Sequence, residues 1–349
     1  MHPYSTLEAR AFWKSAVAGI SPFQIAGLWD PKFRIDPDHK IATFGSCFAQ
    51  HLSRALVREG YNWLDAEQAP FGLSPQSCRA FNYGVFSART GNIYTTSLLA
   101  QWLEWALSPD AASEEVWVEG QRYYDPFRPA IEPNGFASEK EMRLSRAEVL
   151  RALKIGMTTS DIFVFTLGLT ECWVNRRSSH AYPMCPGVHI GEFDDGLHDF
   201  VNHGYRQVID NLERAFELIR KVNSNVKFLL TISPVPLTAT ASGRHVLTAT
   251  TASKAILRAV ADEMATSHDD VDYFPSYEII TGTPFRGMFY EPNQREVSAV
   301  GINFVMDHFF SCQNDKFNNV PRAAELHTPE EAMDILCEEA WLEEFGEDK

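Results

Sequence analysis

Lys40-Ile41-Ala42-Thr43-Phe44-Gly45-Ser46-Cys47-Phe48-Ala49 is the stretch of this 349-residue chain that decides its fold. Lys40 to Phe44 reads as a short apolar strand, and Phe48 to Glu59 has a helical pattern that Gly60 ends. Gly45 and Ser46 therefore fall on a strand-to-helix turn. Open α/β sheets bind ligands at the carboxyl ends of their strands. A helix start also leaves backbone N–H groups without internal partners, and such donors stabilise a developing oxyanion. Ser46 is on these grounds the first candidate nucleophile, weighed against the plainer role of a helix N-cap, at which serine excels.

The rest of the chain repeats this alternation. Ser97 to Leu107 and Ser138 to Gly156 read as helices, and Asp161 to Leu167 (DIFVFTL) reads as a buried parallel strand beside the first. A helix over Tyr205 to Val222, a strand over Val226 to Ile232, a helix over Thr250 to Thr266, a strand over Val271 to Phe274 and a helix over Ser298 to Phe310 follow. The pattern predicts a three-layer α/β/α sandwich with a mostly parallel sheet. Asn175 to His198 reads as an irregular, histidine-bearing stretch, and Pro109 to Phe136 as a loop or short-strand insertion. Met1 to Pro22 has an amphipathic helical pattern around Leu7, Ala11, Phe12 and Ala16. Thr328 to Glu344 reads as an acidic surface helix. We expect one domain over residues 1–349, with a core at about 38–312, an N-terminal extension at 1–37 and the C-terminal acidic helix within 325–349.

Composition narrows the function classes. The formal charge of −15, with no dense Lys/Arg stripe, argues against nucleic acid and anionic membrane surfaces as partners. No run approaches the roughly 20 apolar residues that span a bilayer, and the start lacks a secretory pattern, so the expected location is the cytoplasm. The six cysteines (Cys47, Cys78, Cys172, Cys185, Cys312 and Cys337) are dispersed without ligand-like spacing, which points to reduced thiols and to neither a metal nor another cofactor.

Several segments together resemble the GSCFA family, within the wider SGNH (GDSL-like) hydrolase group. They are GSCFA at Gly45 to Ala49, FNYGVFSARTGNIYT at Phe81 to Thr95, GLTECW at Gly168 to Trp173, TISPVPLTAT at Thr231 to Thr240 and YFPSYEI at Tyr273 to Ile279. The resemblance implies an SGNH-hydrolase-like, flavodoxin-like fold and a serine esterase or O-acyltransferase, with a small-molecule or carbohydrate ester as substrate. It implies Ser46 as nucleophile and Gly84 as an oxyanion donor beside the Ser46 N–H. Thr170 stands where the group carries an oxyanion-holding asparagine, followed by Glu171.

The last block departs from the group. Its Asp-X-X-His is replaced by Asn293-Gln294-Arg295-Glu296. A neutral histidine accepts and returns a proton near neutral pH, whereas a solvated glutamate is a poor base for a hydroxyl. His180 is the preferred substitute base; His189, His245 and a buried Glu296 are the others, while His308 lies too far into its helix. The same departure motivates a second reading, a non-catalytic binding protein for a glycan or acylated partner. A metal-dependent hydrolase would require His180, His189 and a carboxylate to converge.

Overall fold

The computed structural model describes residues 2–318 and 337–346. In chain order its strands are β1 (Ile41–Gly45), β2 (Trp117–Glu119), β3 (Arg122–Tyr124), β4 (Ile162–Leu167), β5 (Glu171–Asn175), β6 (Ala181–Tyr182), β7 (His198–Asn202), β8 (Lys227–Ile232) and β9 (Val271–Tyr273). Its α-helices are α1 (Ala49–Arg58), α2 (Pro75–Ala80), α3 (Thr96–Leu107), α4 (Glu139–Thr159), α5 (Tyr205–Val222), α6 (Val246–Ser267), α7 (Ser276–Thr281) and α8 (Ala299–Phe317).

The central sheet runs β1-β4-β8-β9 with every pairing parallel. Successive residues of a strand point to opposite faces, and both faces here are covered. Ala42, Phe44, Phe163, Phe165, Phe228 and Leu230 pack beneath α3, α4, α5 and α6. Ile41, Ile162, Val164 and Leu229 pack against α1, α7 and α8. This is the expected three-layer α/β/α architecture. Beyond β1, Ile41 bridges Trp63 in parallel, which extends the sheet edge by a single residue pair.

Three local expectations are corrected. Asn175 to His198 is not irregular throughout: β5 pairs antiparallel with β6 and β7 in a second sheet of order β6-β5-β7. The N-terminal segment, described from His2, forms short 3-10 and π turns rather than an amphipathic helix. Leu7 and Trp13 are 47% and 66% exposed, and a short helix without a packing partner is marginal in water. Near the C-terminus, the described residues form a 3-10 turn, Glu338–Leu342, whose Glu338 and Glu339 are buried instead of solvated. The remainder of that expected helix lies outside the described residues. Among the described residues no helix is long and apolar enough to cross a membrane.

Candidate active site

Backbone constraints place Ser46 where β1 ends. Gly45 has φ +132°, and a β-carbon there would lie 2.4 Å from the carbonyl oxygen of Thr166 on β4; only glycine fits both conditions. The Ser46 N–H then donates to that Thr166 carbonyl at 3.1 Å, and the Ser46 carbonyl accepts from Ala49 N–H at 2.9 Å. The chain thus turns into α1 with Ser46 only 2% exposed. Its hydroxyl has no hydrogen-bond partner among the described residues. A buried hydroxyl without a partner is costly in a fold.

Two loops close on this turn. Ile93 N–H donates to Gly45 O at 2.8 Å, while Gly168 and Leu169 N–H both donate to Tyr94 O at 3.1 and 2.9 Å. Gly168 has to be small: a β-carbon there would stand 3.1 Å from that of Ser46 and 3.0 Å from Tyr94 O. Behind Gly168 lies Lys254 of α6, whose Nζ donates to the Gly168 carbonyl at 2.7 Å. Lys254 is 1% exposed. Burial lowers its ammonium pKa from about 10.5 to about 8, against the opposing pull of Glu339 and Cys47. Sequence reading missed this residue, because a lysine on a helix ordinarily marks a solvated face.

Residues from the C-terminal segment cover the site. Glu338 accepts from the Asn92 side-chain amide at 2.7 Å, the Asn92 backbone N–H at 3.5 Å and the Tyr94 hydroxyl at 3.2 Å. Glu339 pairs with Arg295 at 3.6 Å, and Glu343 pairs with the same guanidinium at 3.3 Å. Trp341 stacks on His189 with ring centres 3.7 Å apart. Burial is the main reason that the Glu338 and Glu339 carboxyl pKa values rise, to about 7 and about 8. Cys337 and Cys47 share a hydrogen bond that holds the Cys337 thiol low and, together with burial, pushes Cys47 up. Both cysteines line a cavity of about 850 Å³, along with His51, Arg295 and Glu296.

The sequence-derived residues are distributed unevenly around Ser46. The Ser46 N–H is committed to Thr166 and so is not a free oxyanion donor. Gly84 is exposed with open space around its α-carbon; from its segment it is Ile93 that reaches the end of β1, while Asn92 accepts from Gln50 on α1 at 3.4 Å. The Thr170 hydroxyl donates to Asn202 at 2.8 Å. Glu171 starts β5, accepts from Thr240 at 2.8 Å and is pushed up by burial. His180 stands edge-on to Trp105 and Phe127, its pKa lowered by burial, and it does not reach the Ser46 hydroxyl. His245 caps α6 by accepting from Leu247 N–H at 3.2 Å, and His308 is tied to the Ile25 carbonyl at 2.8 Å. Glu296 is exposed on the cavity rim, not buried. Among the described residues no group of three His, Cys, Asp or Glu side chains is placed to hold a metal ion.

The model of the GSCFA family matches residues 40–309. The chain belongs to the GSCFA family. That match runs from β1 into α8 and takes in the Ser46 turn, the Asn92 loop, Lys254 and Arg295, but not the C-terminal segment. No curated protein matches this GSCFA chain. Among solved structures it is similar to an acetyl esterase mutant with acetate ion, at 14% identity and a TM-score of 0.26, over 65% of this chain and 94% of that one. A likeness that loose carries no argument about the site.

Proposed function

We propose that this GSCFA chain cleaves or transfers an ester-linked acyl group through Ser46. The observation that carries the reading is the buried, unpartnered Ser46 hydroxyl at the carboxyl end of β1, packed against Gly168, whose carbonyl holds the amine of Lys254. A lysine lowered to about 8 is neutral in roughly a tenth of molecules at pH 7, and in that form it keeps a lone pair while still donating to a carbonyl. In the reading, side-chain rotation brings the Ser46 hydroxyl, which Lys254 does not touch in this structure, within reach of Nζ, and Oγ attacks the acyl carbon as its proton passes to that amine. The oxyanion is held by the Asn92 backbone and side-chain N–H groups once Glu338, which accepts from both, has left them, and the leaving alkoxide takes the proton back. Water, or an acceptor hydroxyl in the acyl-transfer version, then repeats the sequence on the acyl-enzyme. A carbohydrate acceptor follows from the family's wider relatives rather than from any feature of the cavity.

Turnover of p-nitrophenyl acetate tests the reading. Ser46→Ala and Lys254→Met are expected to abolish it while retaining a cooperative thermal transition. Undiminished turnover in folded Ser46→Ala contradicts it. A second reading, binding without catalysis, draws on the same hydroxyl, since no base is within hydrogen-bond reach of it among the described residues. It predicts no turnover by the native chain.

A further inference from the structure

The niche formed by Gly91, Asn92 and Tyr94 presents three donors to one point: the Asn92 backbone N–H, its side-chain amide and the Tyr94 hydroxyl. A carboxylate already sits there, that of Glu338, in a residue only 7% exposed. The approach is close, because a β-carbon on Gly91, at φ +67°, would come within 3.0 Å of Glu338 Oε1. Larger residues would displace the anion. The donor set is neutral and converging, as suits one short carboxylate or the oxyanion of an acyl group.

The neighbouring contacts fit the same occupant. Where the SGNH pattern has its Asp-X-X-His, this chain turns Arg295 inward and leaves Glu296 exposed. Arg295 takes Glu339 and Glu343, and Lys254 acts on Glu339 through space. The altered last block and the acidic C-terminal segment are complementary halves of one contact. Trp341 on His189 pins the segment's far side.

We propose that the Gly91–Asn92–Tyr94 niche is a carboxylate-binding subsite and that Glu338 is its internal ligand, so that the C-terminal segment competes with the acyl group of the substrate and with the free short-chain acid. The competition with an acyl substrate rests on the Ser46 reading; the carboxylate subsite does not. A segment that occupies the subsite lowers the apparent affinity for every competing carboxylate by the fraction of molecules in which it is docked.

Hydrogen–deuterium exchange of the full chain, followed at residues 337–346, tests the subsite without recourse to catalysis. Sodium acetate is expected to speed exchange there, and sodium chloride of equal ionic strength is not. Glu338→Ala is expected to speed it without acetate and to remove the acetate response. Exchange that ignores both acetate and Glu338→Ala overturns the proposal. In parallel, the rate at which a fluorophosphonate labels Ser46 is expected to rise on the order of tenfold in Glu338→Ala, as loss of the Glu338 hydrogen bonds frees the niche. If Ser46 never labels in any variant while the exchange response is seen, the nucleophile reading fails and the subsite stands.

Discussion

Lys254 Nζ lies 2.7 Å from the carbonyl oxygen of Gly168, the glycine that packs against Ser46. In the proposed mechanism that relation supplies a proton acceptor held in a dry environment beside the strand end. Burial rather than a neighbouring charge tunes it, so its pKa moves toward the working pH.

The pH profile follows with a definite sign. Only the neutral amine accepts a proton, so kcat/KM is expected to rise with pH and to level off above about 8. Lys254→Arg, which stays protonated throughout, is expected to lose roughly 10²- to 10⁴-fold and to abolish that limb. A rising limb that survives Lys254→Arg assigns the base elsewhere.

Docking of the C-terminal segment has its own pH dependence. Glu338 and Glu339 are raised in the docked state, to about 7 and about 8, above their ordinary value near 4.5. The docked state therefore favours protonated carboxyls: docking is strongest below about pH 4.5 and is lost progressively as pH rises through 7 and 8. The groups facing them are Cys47, Cys337, Tyr94, Glu171, Arg295 and Lys254. Of these, Arg295 stays cationic and retains some attraction. Exchange at residues 337–346, corrected for the intrinsic pH dependence of amide exchange, is expected to increase between about pH 5 and 8.5; a flat corrected profile contradicts this.

One buried carboxylate ties the segment around Arg128 to α4. Asp125, with no exposed surface on its side chain, binds Arg128 at 2.9 Å and Arg146 at 2.6 Å, and Arg128 donates in turn to the Arg89 carbonyl at 3.1 Å. Burial alone would raise Asp125, but Arg146 and Arg128 hold it below the usual carboxylate range. Asp125→Ala leaves two buried cations uncompensated and is expected to cost about 3 to 5 kcal/mol by denaturant unfolding. A loss under about 1 kcal/mol would show that the cluster is solvated.

Gly45→Ala probes the turn itself. The added methyl meets the Thr166 backbone at a positive φ, with an expected cost of about 2 to 5 kcal/mol. Urea unfolding of this variant against Gly60→Ala, at a glycine that follows α1, separates crowding at the site from a general glycine effect.

Much of the frame was legible because its signals are local. β1 and β4 are apolar on both faces, and Tyr205–Val222 carries Val208, Leu212, Phe216 and Ile219 at helical spacing, so the strands, the helix and the parallel sheet could be read directly. The second sheet was not, since β5, β6 and β7 are two to five residues long and gain their stability from cross-strand pairs such as Trp173 with Phe200. The place of Ser46 on the strand-to-helix turn was visible from the glycine and the helix that flank it. Lys254 and Glu338 were not, because their burial depends on partners 86 residues away at Gly168 and 246 residues away at Asn92. A charged residue read alone is assigned to solvent.

The central claim, that Ser46 is an activated nucleophile, is tested most directly by intact-protein mass spectrometry after fluorophosphonate treatment of the native chain, Glu338→Ala and Ser46→Ala. One added probe mass is expected on the native chain, faster addition to Glu338→Ala and none to Ser46→Ala. Absence of labelling in both the native chain and Glu338→Ala, or equal labelling of Ser46→Ala, would contradict the claim.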